Sequence, residues 1–170
     1  PTSQASDKML MKAREYAKAF FNAERYEEIV FGQNMTSLTY QLSRSLANSL
    51  EEGDSIVVTR LDHDANITPW TTIAEEQGCS IEWVDFDVET GRLSLESYAN
   101  ALESKPKLVA LGYASNALGT ISPVKGLITD AKAVGALTFI DAVQYAPHGP
   151  MDVQDLDCDF LAISAYKFFG

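Results

Sequence analysis

Ala136-Leu-Thr-Phe-Ile-Asp-Ala-Val-Gln144 and Phe160-Leu-Ala-Ile-Ser-Ala-Tyr-Lys-Phe-Phe-Gly170 are the two stretches on which the reading of this chain turns. Each opens as an unbroken apolar run bounded by turn residues, the pattern of a strand buried on both faces. Each then switches to polar groups: Asp141 and Gln144 after the first, Ser164, Tyr166 and Lys167 after the second. In an open α/β sheet, ligands bind outside the carboxyl ends of the strands. An acid and a lysine delivered there predict a cofactor site.

Upstream, the same alternation repeats. Met9, Leu10, Ala13, Tyr16, Ala17, Phe20 and Phe21 recur at helical spacing, which predicts an amphipathic helix over 4–23. A short strand is expected at Glu28-Ile-Val-Phe31, then a polar turn through Met35-Thr36-Ser37 and a helix over 38–50. Strand, polar turn and helix N-terminus together would form an anion site. Further strands are expected at 55–59, 80–84 and 108–111, with helices over 67–76, 94–102 and 124–134 and a polar loop over 85–92. Pro69 is tolerated in a first helical turn, and Gly78 ends that helix. Strands alternating with helices of about ten residues imply an α/β fold, a three-layer α/β/α sandwich around a mostly parallel sheet. No repeat, low-complexity stretch or linker divides it, so residues 1–170 are expected to be one unit.

The chain has 170 residues, 46% hydrophobic and 22% charged, with a formal net charge of −11 and no basic stripe. That balance argues against a nucleic-acid partner. No apolar run approaches the roughly 18 residues of a membrane span, and the N-terminus lacks the apolar core of a signal peptide. The expectation is a soluble, cytoplasmic protein without membrane contact. Cys79 and Cys158 are too few and too far apart for a disulfide framework or a metal clip, and both are read as reduced structural thiols. With His148 the only histidine besides His63, no metal site is expected.

Five motifs, in order over about Phe31 to Gly170, resemble the class V aminotransferase family of pyridoxal-phosphate (PLP) enzymes, and within it the cysteine desulfurase and selenocysteine lyase group. Ser164-Ala-Tyr-Lys167-Phe-Phe-Gly170 is similar to that group's Ser-x-His-Lys-x-x-Gly, and Asp141-Ala-Val-Gln144 to its Asp-x-x-Gln. Leu61-Asp-His63-Asp-Ala-Asn66-Ile-Thr-Pro-Trp70 is similar to its Glu-His-His-Ala-Asn-Ile-x-Pro-Trp. Ser115-Asn116-Ala-Leu-Gly119-Thr120 and Met151-Asp-Val-Gln-Asp-Leu-Asp-Cys-Asp-Phe160 also have counterparts at the expected spacing.

The resemblance implies a fold-type I large domain and assigns roles. Lys167 forms the Schiff base with PLP; such an amine must shed its proton, which a partly desolvated site near positive charge favours. Its neighbours Tyr166, Phe168 and Phe169 fit that better than a surface lysine. Asp141 keeps the pyridine nitrogen protonated, although an aspartate after a strand is also a common turn or cap residue. Gln144 bonds the phenolic oxygen with Asn116 nearby; either is otherwise an ordinary turn amide. His63 stacks on the ring and relays protons, or is a charged surface turn. Met35, Thr36, Ser164 and Tyr166 hold the phosphate, with Ser164 and Tyr166 pointing to one side of an extended segment; plain N-capping by Thr36 and Ser37 uses the same geometry.

Three positions depart from the group's pattern: Tyr166 replaces a histidine, Met35 replaces a threonine, and Asp64 replaces the second histidine. A phenol donates to phosphate but carries no positive charge at neutral pH. Family members also continue well past the lysine, with a small C-terminal domain, a carboxylate-gripping arginine and, in desulfurases, a sulfur-accepting cysteine. The chain therefore reads as an internal piece of the large domain, lacking the small domain and a preceding N-terminal segment, and weak or absent turnover is expected of it alone. The expected whole acts on an amino acid, preferably releasing sulfur from cysteine to an acceptor protein, as a homodimer. The alternatives are another class V aminotransferase, lyase or epimerase, or a truncated domain that folds without cofactor. G-x-G-x-x-G and G-x-S-x-G are absent, which disfavours a dehydrogenase or an α/β-hydrolase.

Overall fold

A computed structural model describes residues 2–167; Phe168, Phe169 and Gly170, which the sequence sets beside Lys167, lie outside the described residues. In chain order the elements are α1 (Thr2–Phe21), α2 (Met35–Leu46), β1 (Ser55–Thr59), α3 (Thr68–Gln77), β2 (Ser80–Val84), β3 (Phe86–Asp87), β4 (Arg92–Leu93), α4 (Leu95–Leu102), β5 (Leu108–Gly112), α5 (Val124–Ala133), β6 (Leu137–Asp141), α6 (Val153–Leu156) and β7 (Phe160–Ala162).

Five strands form one sheet in the order β2-β1-β5-β6-β7, and every pairing is parallel. From β1 the chain winds outward to β2, then returns to the other side of β1 and proceeds through β5, β6 and β7. The winding therefore reverses between β1 and β5, the switch point where α/β sheets open a crevice. The unbroken apolar runs are explained by burial from both sides. On one face Val57, Val109, Leu111 and Ile140 pack with Tyr98, Leu127 and Ile128 of α4 and α5. On the other, Ile56, Val58, Ala110 and Phe139 pack with Trp70 and Ile73 of α3 and Met35 of α2. Trp70 is fully buried and meets Phe139 edge-on at 5.2 Å, while the Tyr98 hydroxyl donates to Leu127 O at 2.6 Å.

Local signals hold where a cap or turn enforces them. Gly78 closes α3 in the left-handed conformation, φ 71°, and Ser94 caps α4 by accepting from Ser97 N. Three expectations need correction. The strand at Glu28–Phe31 does not form: Tyr26–Glu28 is a 3₁₀ turn, Val30 and Phe31 are 68% and 51% exposed, and among the described residues this segment pairs with no strand. The anion site therefore lacks its strand. The following helix begins at Met35 because Asn34, not Thr36 or Ser37, is its cap, accepting from Ser37 N at 2.9 Å. The loop over 85–92 contains the short antiparallel pair β3–β4, each strand two residues long and below what a periodicity can reveal. No described helix is long and apolar enough to cross a membrane.

Candidate active site

Register brings Gly112, Asp141 and Ala162 into line across β5, β6 and β7 as the last rung of the sheet. The polar segments follow directly, so their side chains meet at the same edge. A cleft there is lined by Met35, Thr36, His63, Asn116, Asp141, Gln144, Ser164, Tyr166 and Lys167, all nine residues singled out in the sequence. Asp62, Ala65, Gly112, Ala114 and Val143 complete its wall.

One side of the cleft is built for a negative group. Thr36 lies in the first turn of α2, where the backbone N–H groups and the helix dipole favour an anion. The expectation of two free hydroxyls from an extended Ser164–Tyr166 segment is corrected, because Ala165–Lys167 is a 3₁₀ turn closed by Lys167 N donating to Ser164 O at 3.0 Å. The Ser164 hydroxyl, buried, accepts from Met35 N at 3.0 Å. Met35 N–H is thereby taken, and its side chain packs inside. Ser164 keeps its hydroxyl hydrogen to donate, Thr36 keeps its N–H and hydroxyl, and the Tyr166 phenol stands at the rim, 63% exposed.

The opposite side holds the acids. Asp141 Oδ1 accepts from Val143 N at 2.9 Å, so it serves as a turn aspartate and still presents its other oxygen to the cleft. Burial raises its carboxyl above the ordinary value, opposed by the Val143 N–H, His63 and Lys167. His63 Nδ1 accepts from Ala65 N at 3.0 Å. That cap requires a lone pair on Nδ1, which assigns the proton of the neutral ring to Nε2. The imidazole is otherwise exposed. Gln144 and Asn116 make no side-chain hydrogen bond among the described residues; the turn around Asn116 is held instead by Ser115 Oγ, which accepts from Ala117 N and Leu118 N. Their amides are free for a ligand, and the turn-amide alternative does not apply to Asn116.

Lys167 sits at the cleft but is exposed rather than shielded. Tyr166, the flanking aromatic within the described residues, is also largely exposed. The enclosure expected of this lysine is therefore not supplied by residues 2–167.

One acid escaped the sequence reading. Asp62 Oδ1 accepts from Gly112 N at 2.9 Å and Oδ2 from Asn66 Nδ2 at 2.9 Å. Asn66 Oδ1 in turn accepts from the indole N–H of Trp70 at 3.1 Å. The i, i+4 spacing of Asp62 and Asn66 was the available signal, overshadowed by the histidine between them. Burial, then the neighbouring Asp141 carboxylate, push Asp62 up to about 7. The two cysteines lie away from this edge: the Cys79 thiol donates to Glu51 O at 3.4 Å, and burial pushes the Cys158 thiol up to about 11.

Comparison with known proteins places the chain in a family. The family model described as aminotransferase class-V matches residues 2–170. A cysteine desulfurase of Pectobacterium carotovorum is 39% identical over 158 residues, covering 92% of this chain and 39% of the relative. One from Escherichia coli is 36% identical over 170 residues, covering 99% of the chain and 41% of the relative. The solved apo structure of a cysteine desulfurase from Thermococcus onnurineus superposes with a TM-score of 0.90 at 34% identity, covering 96% of this chain and 40% of that one. The chain thus spans about two fifths of the length of the curated relatives it matches. With a family match over residues 2–170 and a fold shared with the solved relative, the chain belongs to the class V aminotransferase family.

Proposed function

We propose that residues 2–167 form the cofactor-bearing part of a PLP-dependent enzyme that acts on an amino acid, most closely a cysteine desulfurase. The observation that carries this reading is the convergence of nine residues, drawn from five separate segments, on one cleft at the sheet's carboxyl edge. The donor set fits the cofactor group by group: a helix N-terminus with two hydroxyls for a phosphate, a carboxylate for a ring nitrogen, and two free amides for a phenolic oxygen.

PLP, when bound, supplies an aldehyde and an electron-withdrawing ring that drains charge from the bonds at an amino acid's Cα. The chain's own residues supply the rest. Thr36 and Ser164 donate to the phosphate, with Tyr166 at the rim in place of a cationic imidazole. Asp141 presents an oxygen to hold a proton on the ring nitrogen, and a positive partner there would draw its raised carboxyl back towards the charged form. Gln144 and Asn116 donate amide hydrogens to the phenolic oxygen. His63 lies against the cleft with Nε2–H outward, placed to pass a proton. Lys167 Nζ would hold the cofactor and, as a free amine, would be placed to accept and return a proton at the substrate's Cα.

The substrate reading rests on kinship: the relatives named above are cysteine desulfurases over the matched region. Homodimer assembly, transfer of sulfur to an acceptor protein and a cytoplasmic location belong to the same proposal. The test uses the full-length protein with PLP and cysteine. Absorbance of bound cofactor and release of alanine are expected, with the sulfur recovered as sulfide once an added dithiol has reduced it by two electrons, and Lys167→Ala should abolish turnover. Turnover of other amino acids without sulfide would instead favour an aminotransferase, lyase or epimerase, and no spectral change on adding PLP would defeat the proposal.

A further inference from the structure

Asp62 lies at the reversal of winding between β1 and β5. Its two oxygens bridge that gap, one to the backbone N–H of Gly112 at the end of β5 and one to Asn66 on the turn that carries His63. The contact is close enough to demand glycine: a Cβ on residue 112 would fall 2.3 Å from Asp62 Oδ1. The orientation of Asn66 is also determined. The Trp70 indole N–H can only donate, so it fixes the Asn66 carbonyl, leaving the NH₂ to face Asp62. Asn66 and Trp70 are both fully buried, so this chain of bonds is anchored in the core beneath α3.

We propose that Asp62 is a positioning residue: it ties the His63 turn to the end of β5 across the switch point, and so fixes the imidazole over the cleft. This rests on the cofactor site proposed above but concerns only the chain's own residues.

The charged group bearing on Asp62 is Asp141 from β6; Thr59 of β1, Gly112 of β5 and Asn66 supply neutral hydrogen bonds, and Asp141 itself faces His63 and Lys167. The hydrogen bonds favour the carboxylate, but burial and Asp141 outweigh them. The closed turn therefore holds a proton on Asp62 more tightly than an opened, solvated turn would. By linkage, opening becomes easier as pH rises from the ordinary carboxylate range and levels off above about 7.

Hydrogen exchange of the full-length protein without cofactor, read in peptides covering 60–67 and 110–116 at pH 5 to 8, tests this. After division by the intrinsic chemical rate, wild-type opening should increase up to about tenfold per pH unit between 5 and 7, then plateau. Asp62→Asn places an amide N–H against that of Asn66 and should raise opening at pH 5 by about tenfold while flattening the pH profile. Asp62→Glu keeps a carboxylate and should retain the rising profile. Unchanged exchange in Asp62→Asn, or a pH profile that survives undiminished in it, would overturn the proposal. Asp62→Asn need not be purified in quantity for the test, since a flat wild-type profile would overturn it too. PLP absorbance measured in parallel separates the two claims: loss of binding in wild type defeats the cofactor reading and leaves the exchange result standing.

Discussion

Two turns at the same edge of the sheet are built in opposite ways. The turn after β1 is pinned on every side: Asp62 to Gly112 and Asn66, Asn66 to Trp70, His63 to Ala65 N, and Asp64 Oδ1 to the Thr68 hydroxyl at 2.6 Å. The turn after β7 rests on the backbone bond from Lys167 N to Ser164 O and the bond between Ser164 and Met35, and its outer side chains face solvent. The first turn is a polar network anchored in the core at Asn66 and Trp70, both fully buried, where a missing partner leaves a desolvated group unpaired. The second carries Lys167, the proposed nucleophile, whose amine must be reachable. Rigidity on one wall and access on the other divide positioning from chemistry.

Breaking the pinned turn should have the largest effects on stability. Trp70→Ala removes a fully buried indole and the donor that orients Asn66, and urea unfolding should show a loss of about 3–5 kcal/mol. Gly112→Ala forces a methyl against Asp62 Oδ1; it should lose about 1–3 kcal/mol in the same assay and weaken PLP binding. Asp141→Asn probes the boundary between the walls. Burial raises the Asp141 carboxyl, so the native state favours its protonated form, and the stability this contributes is present at low pH and lost as pH rises through the raised value. The neutral amide should therefore match wild type in acid and equal or exceed it at pH 8, while turnover falls at least about a hundredfold, as expected on losing a proton-holding group. Lys167→Ala should change stability by no more than about 0.5 kcal/mol, because the side chain is exposed. A larger loss there would erase the contrast between the two turns.

The sequence disclosed most of the sheet. Runs such as Ile56-Val-Val58 and Leu108-Val-Ala-Leu111 are apolar throughout because both faces are covered, and their shortness and flanking turn residues separate them from a buried helix. Glu28–Phe31 shares the composition but not the neighbours: strand formation depends on a pairing partner, and an isolated four-residue window carries no record of one. The convergence of the nine candidate residues was legible because all but Met35 and Thr36 end or follow a strand and because their motifs resemble those of a known family. Their bonding was not. That Ser164 would turn to accept from Met35 N, and that Asn34 would cap α2 ahead of Thr36, depends on contacts 129 residues apart or on which of several adjacent polar groups wins a single N–H. Asp62 was missed for a related reason. Its importance lies in meeting Gly112, 50 residues away, and a spacing that long leaves no local pattern.

The exposed turn after β7 is proposed to carry the residue that holds the cofactor. The direct measurement is borohydride reduction of the PLP-loaded full-length protein, followed by proteolysis and mass spectrometry of the modified peptide. One pyridoxyl-modified residue, Lys167, is expected, absent after Lys167→Ala; a stable modification on another lysine, or none in protein that binds PLP, would contradict that assignment.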